Sequence, residues 1–158
     1  MRFAILVKAN ADSEAGILAS KQLMTAMHAY NEELVRAGIM AAAEGLQASS
    51  KGARVIFSGH DDDGMSSSTG VGVSTSTVVQ GPFDQDAPEH LVAGFWVLKS
   101  LRSLEEAVGW ARKCPGFGKG AVLEVRRVFE AEDVDDGSVE AEELRAREAE
   151  LREKAAAN

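Results

Sequence analysis

Alternating hydrophobic and polar positions open the chain. Within residues 2–8, Phe3, Ile5 and Val7 point to one side and the residues between them point to the other, which is the period of a β-strand with one buried face. Residues 9–19 follow neither a strand nor a helix period, and we predict a loop there. The chain therefore begins with a strand that has a core-facing side and a more polar side.

Helical spacing replaces this alternation from about Ser20. The apolar stripe recurs at the i, i+4, i+7 and i+11 positions of one helix face: Leu23, Met27, Tyr30 and Leu34. Gly38 is expected to end the helix, because glycine adopts the left-handed cap conformation without strain. A second helix is predicted to start at Ser103, with Glu106 completing a capping box. Its expected buried stripe is Leu104, Ala107, Val108 and Ala111.

Short apolar or β-branched segments between turn residues predict five further strands. They span residues 39–47, 53–58, 71–79, 91–98 and 121–129. The polar stretches 60–70 and 84–90 are predicted loops, and Gly81-Pro82-Phe83 breaks the chain between them. The resulting order predicts an α+β fold, a ferredoxin-like βαββαβ sandwich with a hairpin insertion, in which two helices cover one face of an antiparallel sheet.

The end of the chain has another composition. Residues 139–157 are mostly Glu, Ala, Arg and Lys, with Leu144 and Leu151 one heptad apart. Favourable i, i+4 pairs predict a helix: Glu143–Arg147, Glu148–Arg152 and Glu150–Lys154. It is either a solvated helix or one that docks on a partner subunit. We therefore expect one domain over residues 1–130 and a C-terminal helical extension over 131–158.

The sheet face that the helices leave open mixes apolar and charged side chains. Its expected members are Arg2, Ala4, Leu6 and Lys8 on the first strand, with Val122, Glu124 and Arg126 on the last. Two such faces packed together would bury the apolar residues and form a C2 homodimer with a polar-lined space between the sheets. The alternative is a solvated face with an ion pair between Glu124 and Arg126.

Composition and charge narrow the function classes. The chain has 158 residues, 45% hydrophobic residues and a net charge of −8, which fits one globular domain and argues against a nucleic-acid surface. No apolar run is long enough to cross a membrane. The single cysteine, Cys114, excludes an intrachain disulfide, and the apolar core of the N-terminus is too short for a signal peptide. We predict a cytoplasmic protein in which Cys114 is a partly buried structural residue.

A series of phrases in order along the chain resembles the DGPF branch of the YCII-related proteins. They are Met1-Arg2-Phe3, Val7-Lys8-Ala9, Asp12-Ser13-Glu14-Ala15-Gly16, Tyr30-Asn31-Glu32-Glu33-Leu34, Ala37-Gly38, Glu44-Gly45-Leu46, Ser50-Lys51-Gly52-Ala53-Arg54-Val55, Gly81-Pro82-Phe83, Ala93-Gly94-Phe95-Trp96, Glu105-Glu106-Ala107, Glu124-Val125-Arg126 and Val128–Asp133. The resemblance implies a ferredoxin-like fold that forms a dimeric α/β barrel, usually as a homodimer. Most such proteins have no established activity.

Two positions depart from the family pattern. The name-giving Asp-Gly-Pro-Phe is Gln80-Gly81-Pro82-Phe83 here, and glutamine cannot act as an acid or a base. The helix-one histidine that the wider family is proposed to use aligns with Met27, and His28 lies about 100° around the helix from it. The resemblance therefore implies that family chemistry is lost here or has moved to the altered loop after Phe83.

The candidate acid/base residues lie in that loop. His90 with Asp84 and Asp86, and Glu89 beside them, offers an acid/base set; the alternative is a solvated acidic loop. His28 is a further candidate base, or a histidine packing at the helix edge.

The candidate ligand-binding residues are Arg126, Glu124, Arg2, Lys8, Gln80 and Phe83. Gly116, Gly118 and Gly120 follow a helix rather than precede one, so they predict no nucleotide site. His60-Asp61-Asp62-Asp63 lacks the spacing of a calcium loop, and we expect neither a metal nor a cofactor.

Two functions remain in view. The first is a homodimeric barrel that binds a small molecule, with Arg126 to orient an anionic ligand. Cofactor-free proton transfer or elimination is the chemistry that His90, Asp84 and Asp86 suit. The second is a non-catalytic interaction or regulatory protein whose C-terminal helix and altered loop bind a protein partner. The sequence alone does not decide whether the protein is an enzyme.

Overall fold

A computed structural model describes residues 1–58, 75–84, 86–116, 118–130, 133 and 139–157. Its strands and helices, in chain order, are β1 Phe3–Lys8, α1 Ala11–Glu14, α2 Lys21–Arg36, β2 Met40–Gly45, β3 Ala53–Ser58, β4 Thr75–Gln80, β5 Val92–Leu98, α3 Leu104–Ala111, β6 Leu123–Arg127 and α4 Val139–Ala157. Single 3-10 turns lie at Ser49–Lys51 and Pro88–His90. The predicted loop at 60–70 and the first residues of the predicted strand 71–79 fall outside the described residues.

Four strands form one antiparallel sheet in the order β2-β5-β1-β6. Strands β3 and β4 pair only with each other, as a separate antiparallel ribbon. This confirms a mixed α+β fold with antiparallel sheets, and the strand order agrees with the predicted βαββαβ succession. The four-stranded sheet of the single chain is open, not a closed barrel.

The core lies between α2, α3 and one face of this sheet. Phe3, Ile5 and Val7 alternate with less buried neighbours, which confirms the first predicted strand. Tyr30 and Leu34, from the predicted stripe of α2, are buried with them. The Tyr30 ring meets Trp96 edge-on at 5.6 Å, and its hydroxyl donates to the Trp110 carbonyl at 3.1 Å. Burial raises the pKa of the Tyr30 phenol, which fits a core residue.

The structure corrects the local predictions at two helices. The predicted loop 9–19 contains α1, because the side chains of Asn10 and Ser13 cap each other's backbone N–H groups. In α3, Leu104 and Val108 are 49% and 37% exposed, so the expected four-residue buried stripe is wrong. The buried residues of α3 are two alanines, Ala107 and Ala111. The buried face of this helix is therefore narrower than the predicted stripe.

The predicted capping box of α3 is half formed. Ser103 Oγ accepts from the Glu106 N–H at 3.3 Å as expected. The Glu106 carboxylate, however, accepts from the N–H and the guanidinium of Arg102 instead of from Ser103. The guanidinium pair adds a charge-assisted bond that the Ser103 N–H could not supply, which explains the difference.

The predicted C-terminal helix is confirmed as α4, and Lys154 pairs with Glu150 at 2.6 Å. Leu151, one of the two leucines spaced a heptad apart, is 61% exposed in the single chain. No helix among the described residues is both long and apolar enough to cross a membrane.

Candidate functional site

A cleft of about 990 Å³ opens at one end of the four-stranded sheet. The N-terminal half of α2 forms one wall, and the ends of β1, β2 and β5 form another. Residues 10–20 and 46–51 complete the rim. The size suits a small organic molecule, because ligand pockets in proteins usually measure about 300–1,000 Å³.

Two glycines make the floor of this cleft. Gly45 and Gly94 face each other across β2 and β5, and Val7 follows in the same row of the sheet. Directly opposite residues of antiparallel strands share a face, so this row lies on the side that α2 covers. A Cβ atom at Gly45 would meet nothing within 4 Å, whereas one at Gly94 would lie 2.9 Å from the Glu44 carbonyl oxygen. The missing side chain at Gly45 therefore leaves free volume in the cleft, whereas glycine at position 94 allows the close approach of β2.

Exposed apolar side chains line the walls. Ile17, Leu18, Met24 and Leu46 are 61%, 85%, 51% and 48% exposed, and all four border the cleft. The first half of the predicted α2 stripe, Leu23 and Met27, also lines it. Such a convergence of apolar surface in one concavity is typical of a binding site and uncommon elsewhere on a soluble domain.

One polar side chain between α2 and the sheet is held in a fixed orientation. The Trp96 indole N–H donates to Asn31 Oδ1 at 2.8 Å, and both residues line the cleft. At the rim, the Glu14 carboxylate accepts from the backbone N–H and the hydroxyl of Ser49. Glu14 is thus engaged in holding the 46–51 segment, while Asn31 keeps an amide group beside the glycine floor.

The Gly81-Pro82-Phe83 stretch anchors the β3–β4 ribbon. The Gly81 N–H donates to the Gly52 carbonyl at 3.0 Å, and the Phe83 N–H donates to Ser49 Oγ at 2.9 Å. The Arg54 guanidinium lies 4.3 Å above the centre of the Phe83 ring, within cation–π range. Phe83, predicted to bind a ligand, is therefore engaged within the chain, and Gln80 lies exposed at the end of β4, opposite Ala53.

The predicted acid/base residues occupy exposed positions around this anchor. Asp84 pairs with Arg54 at 2.5 Å, and that hydrogen bond holds the pKa of the Asp84 carboxyl below its usual range, with a smaller contribution from the charge of His90. Asp86 and His90 are exposed, and no hydrogen bond or ion pair joins them among the described residues. His28 is 79% exposed and lies 3.4 Å from Glu32. Among the described residues, no group of three or more His, Cys, Asp and Glu side chains is placed to hold a metal ion.

The predicted ligand-binding charges of the open sheet face form ion pairs within the chain. Glu124 lies 3.6 Å from Arg126 and 3.9 Å from Lys8. Arg2 binds the Glu130 carboxylate through its Nε and Nη2 atoms, at 3.1–3.2 Å. Of these residues, only Lys8 also borders the cleft. Cys114 is half-buried as predicted, and burial raises the pKa of its thiol to about 11, so it stays protonated at neutral pH.

Comparison with protein-family models shows which family this chain belongs to. The model of the YCII-related domain matches residues 1–132. The chain belongs to the YCII-related family. A search of the curated proteins returns no match to it. The family match ends before α4 begins, and membership of the DGPF branch stays a prediction.

Sequence reasoning missed most of the cleft of this YCII-related protein. The sequence had pointed mainly to the 84–90 loop and the open sheet face as the functional sites. The signal that was available is the pair of glycines in predicted strands, Gly45 and Gly94, because an isolated glycine in a strand often marks a close approach of backbone or ligand. Met27, which the resemblance places where relatives carry a histidine, lines the same cleft. The register that brings these residues together depends on strands about fifty residues apart in sequence.

Proposed function

We propose that this YCII-related protein binds a small, largely apolar molecule in the cleft between α2 and the end of the sheet. The observation that carries the proposal is the glycine floor beneath exposed apolar walls. Burying those walls against a ligand would remove apolar surface from water, which favours binding by about 25 cal/mol for each Å². Exposing Leu18 and Met24 to water is unfavourable, and a bound apolar molecule would cover them.

The cleft supports binding better than proton transfer. No histidine lies among the described residues that line it, and histidine is the side chain that most often moves protons in enzymes. The thioether of Met27 cannot take up a proton. At the other candidate site, the ion pair with Arg54 lowers the pKa of Asp84 and so weakens it as a base. Acid/base chemistry by Asp84, Asp86 and His90 therefore stays a sequence prediction.

Gly45→Leu is expected to close the cleft without disturbing the fold, because its Cβ atom points into open space. Ethylbenzene, an apolar probe without hydrogen-bonding groups, should shift the amide resonances of cleft residues in the natural protein. In Gly45→Leu its dissociation constant should rise at least about tenfold. The measurement is a titration followed by ¹H–¹⁵N correlation spectra.

The matched control is Gly109→Leu. Gly109 lies in α3, outside the cleft, and its Cβ atom would also meet nothing within 4 Å. This variant should bind ethylbenzene as the natural protein does. The proposal is wrong if the natural protein shows no saturable shifts at cleft amides, or if Gly45→Leu binds ethylbenzene unchanged.

We further propose a homodimer, as the family resemblance implies. The β3–β4 ribbon carries apolar side chains on both faces, with Val55, Phe57 and Val78 on one and Ile56 and Val79 on the other, all exposed by 40–68%. A two-stranded ribbon of this kind is marginally stable alone and needs another surface to cover it. The open face of the main sheet has a partly buried apolar centre beside the Glu124–Arg126 ion pair, and in a two-fold dimer this face could pack against its own copy.

Phe57→Lys tests this assembly. A buried, unpaired lysine is costly, so we expect the variant to sediment as a monomer at concentrations where the natural protein is a dimer. Val35→Lys, on the exposed side of α2, replaces a residue that is 58% exposed and should leave the mass unchanged. Analytical ultracentrifugation measures both. A monomeric natural protein, or a dimeric Phe57→Lys variant, contradicts the proposal.

A further inference from the structure

Asn31 is a cleft-lining polar side chain whose orientation is fixed by a hydrogen bond from the core residue Trp96. Its carboxamide can face Trp96 in only one way, because the indole N–H is a donor and the atom opposite it must be an acceptor. The 2.8 Å contact therefore assigns Oδ1 to Trp96. The amide group Nδ2 is left over, and among the described residues no acceptor pairs with it.

The side chains around Asn31 determine which kind of ligand group its Nδ2 donor can bind. Met27 precedes it by one helical turn, and Trp96 is 6% exposed beneath it. In such an apolar setting, a hydrogen-bond acceptor on a ligand gains a partner, whereas a ligand charge would lose its hydration. The cleft presents no excess of positive charge to an anionic ligand, because the charged side chains that border it are of both signs, Lys8 and Lys51 with Asp12, Glu14 and Glu44. The ammonium group of Lys8 also lies 3.9 Å from Glu124.

We infer that Asn31 selects the ligand of this cleft, donating from Nδ2 to a carbonyl oxygen on an otherwise apolar, uncharged molecule. The inference rests on the proposed binding function and adds to it a ligand class and a specificity-determining residue. Trp96 acts as the positioning residue, because its indole N–H fixes which end of the carboxamide faces the ligand.

Three probes of similar size separate the chemical alternatives: acetophenone carries a carbonyl group, ethylbenzene carries none, and benzoate carries a charge. The natural protein should bind acetophenone most tightly. Asn31→Asp keeps an oxygen for Trp96 but replaces the donor with a second acceptor. Its dissociation constant for acetophenone should rise at least about tenfold, while that for ethylbenzene should change less than about twofold. Amide resonance titrations measure all three.

Gln22→Glu is the matched control, because Gln22 lies exposed on the same helix as Asn31 and is not among the residues that line the cleft. It makes the same change of amide to carboxylate and should leave the preference for acetophenone intact. The inference is overturned if Asn31→Asp keeps that preference, or if benzoate binds the natural protein more tightly than acetophenone. If Asn31→Asp loses both neutral probes, Asn31→Ala removes the donor without adding charge, and a retained preference there overturns the inference. A cleft that Gly45→Leu closes to ethylbenzene supports the proposed function whichever way Asn31 behaves.

Discussion

Leu34→Ala is expected to lower the free energy of unfolding by about 2–5 kcal/mol. Leu34 is fully buried, and it packs in one cluster with Phe3, Ile5 and Leu98 from the centre of the sheet. The substitution removes apolar contacts and leaves a cavity between α2 and β1, because the surrounding residues are fixed by two packed layers. Urea denaturation followed by circular dichroism measures the change.

Leu104→Ala is the matched comparison, since it makes the same change in the other helix of the layer. Leu104 is 49% exposed, so the loss should stay below about 1 kcal/mol. The pair also tests the correction to the predicted stripe of α3. Equal losses from the two substitutions would show that Leu104 is covered in solution, against the exposure described above.

Gly81→Ala is expected to destabilise the base of the ribbon by about 1–3 kcal/mol. A Cβ atom at Gly81 would lie 1.9 Å from the Ser49 carbonyl oxygen, so one of the two segments must move. Ser49 cannot shift freely, because its N–H and hydroxyl bind Glu14 and its hydroxyl also accepts from Phe83. Faster hydrogen exchange in β3 and β4, together with a lower melting temperature, would report the change.

Gly52→Ala provides the control at the same carbonyl group. Its Cβ atom would lie 3.5 Å from Ser49 O, an ordinary van der Waals contact, so stability should change by less than about 0.5 kcal/mol. If Gly81→Ala proves as harmless as Gly52→Ala, the Gly-Pro-Phe stretch does not depend on this close approach.

Local periodicity was sufficient for the elements that have one strong pattern. The alternation of Phe3, Ile5 and Val7 predicted β1, and the charged repeat of residues 139–157 predicted α4 with its bounds. It failed at α1, where two short polar side chains cap a single turn that has no apolar stripe. It also failed at Leu104, because spacing shows which residues share a face but not how much of that face another layer covers.

The cleft could not be predicted from local periodicity, because it depends on contacts between distant segments. Its floor exists because the register of β2 with β5 places Gly45 opposite Gly94, and no local pattern specifies that pairing. The orientation of Asn31 likewise depends on an indole group 65 residues away. The candidate loop residues, by contrast, were easy to single out, since Asp84, Asp86 and His90 are close in sequence. The structure instead pairs Asp84 with Arg54 of β3, a contact between distant segments that no local pattern specifies.

The glycine floor has a consequence for how this protein can diverge. A side chain added at Gly45 would begin in open space, so a mutation there can alter the cleft while core residues such as Leu34 keep the fold intact. Gly94 is under a double constraint, because a side chain there would meet the Glu44 carbonyl of the neighbouring strand as well as fill the hollow. We expect related chains to vary at the position of Gly45 and to keep glycine at the position of Gly94. Such variation would change the ligand that fits the cleft and leave the fold unchanged.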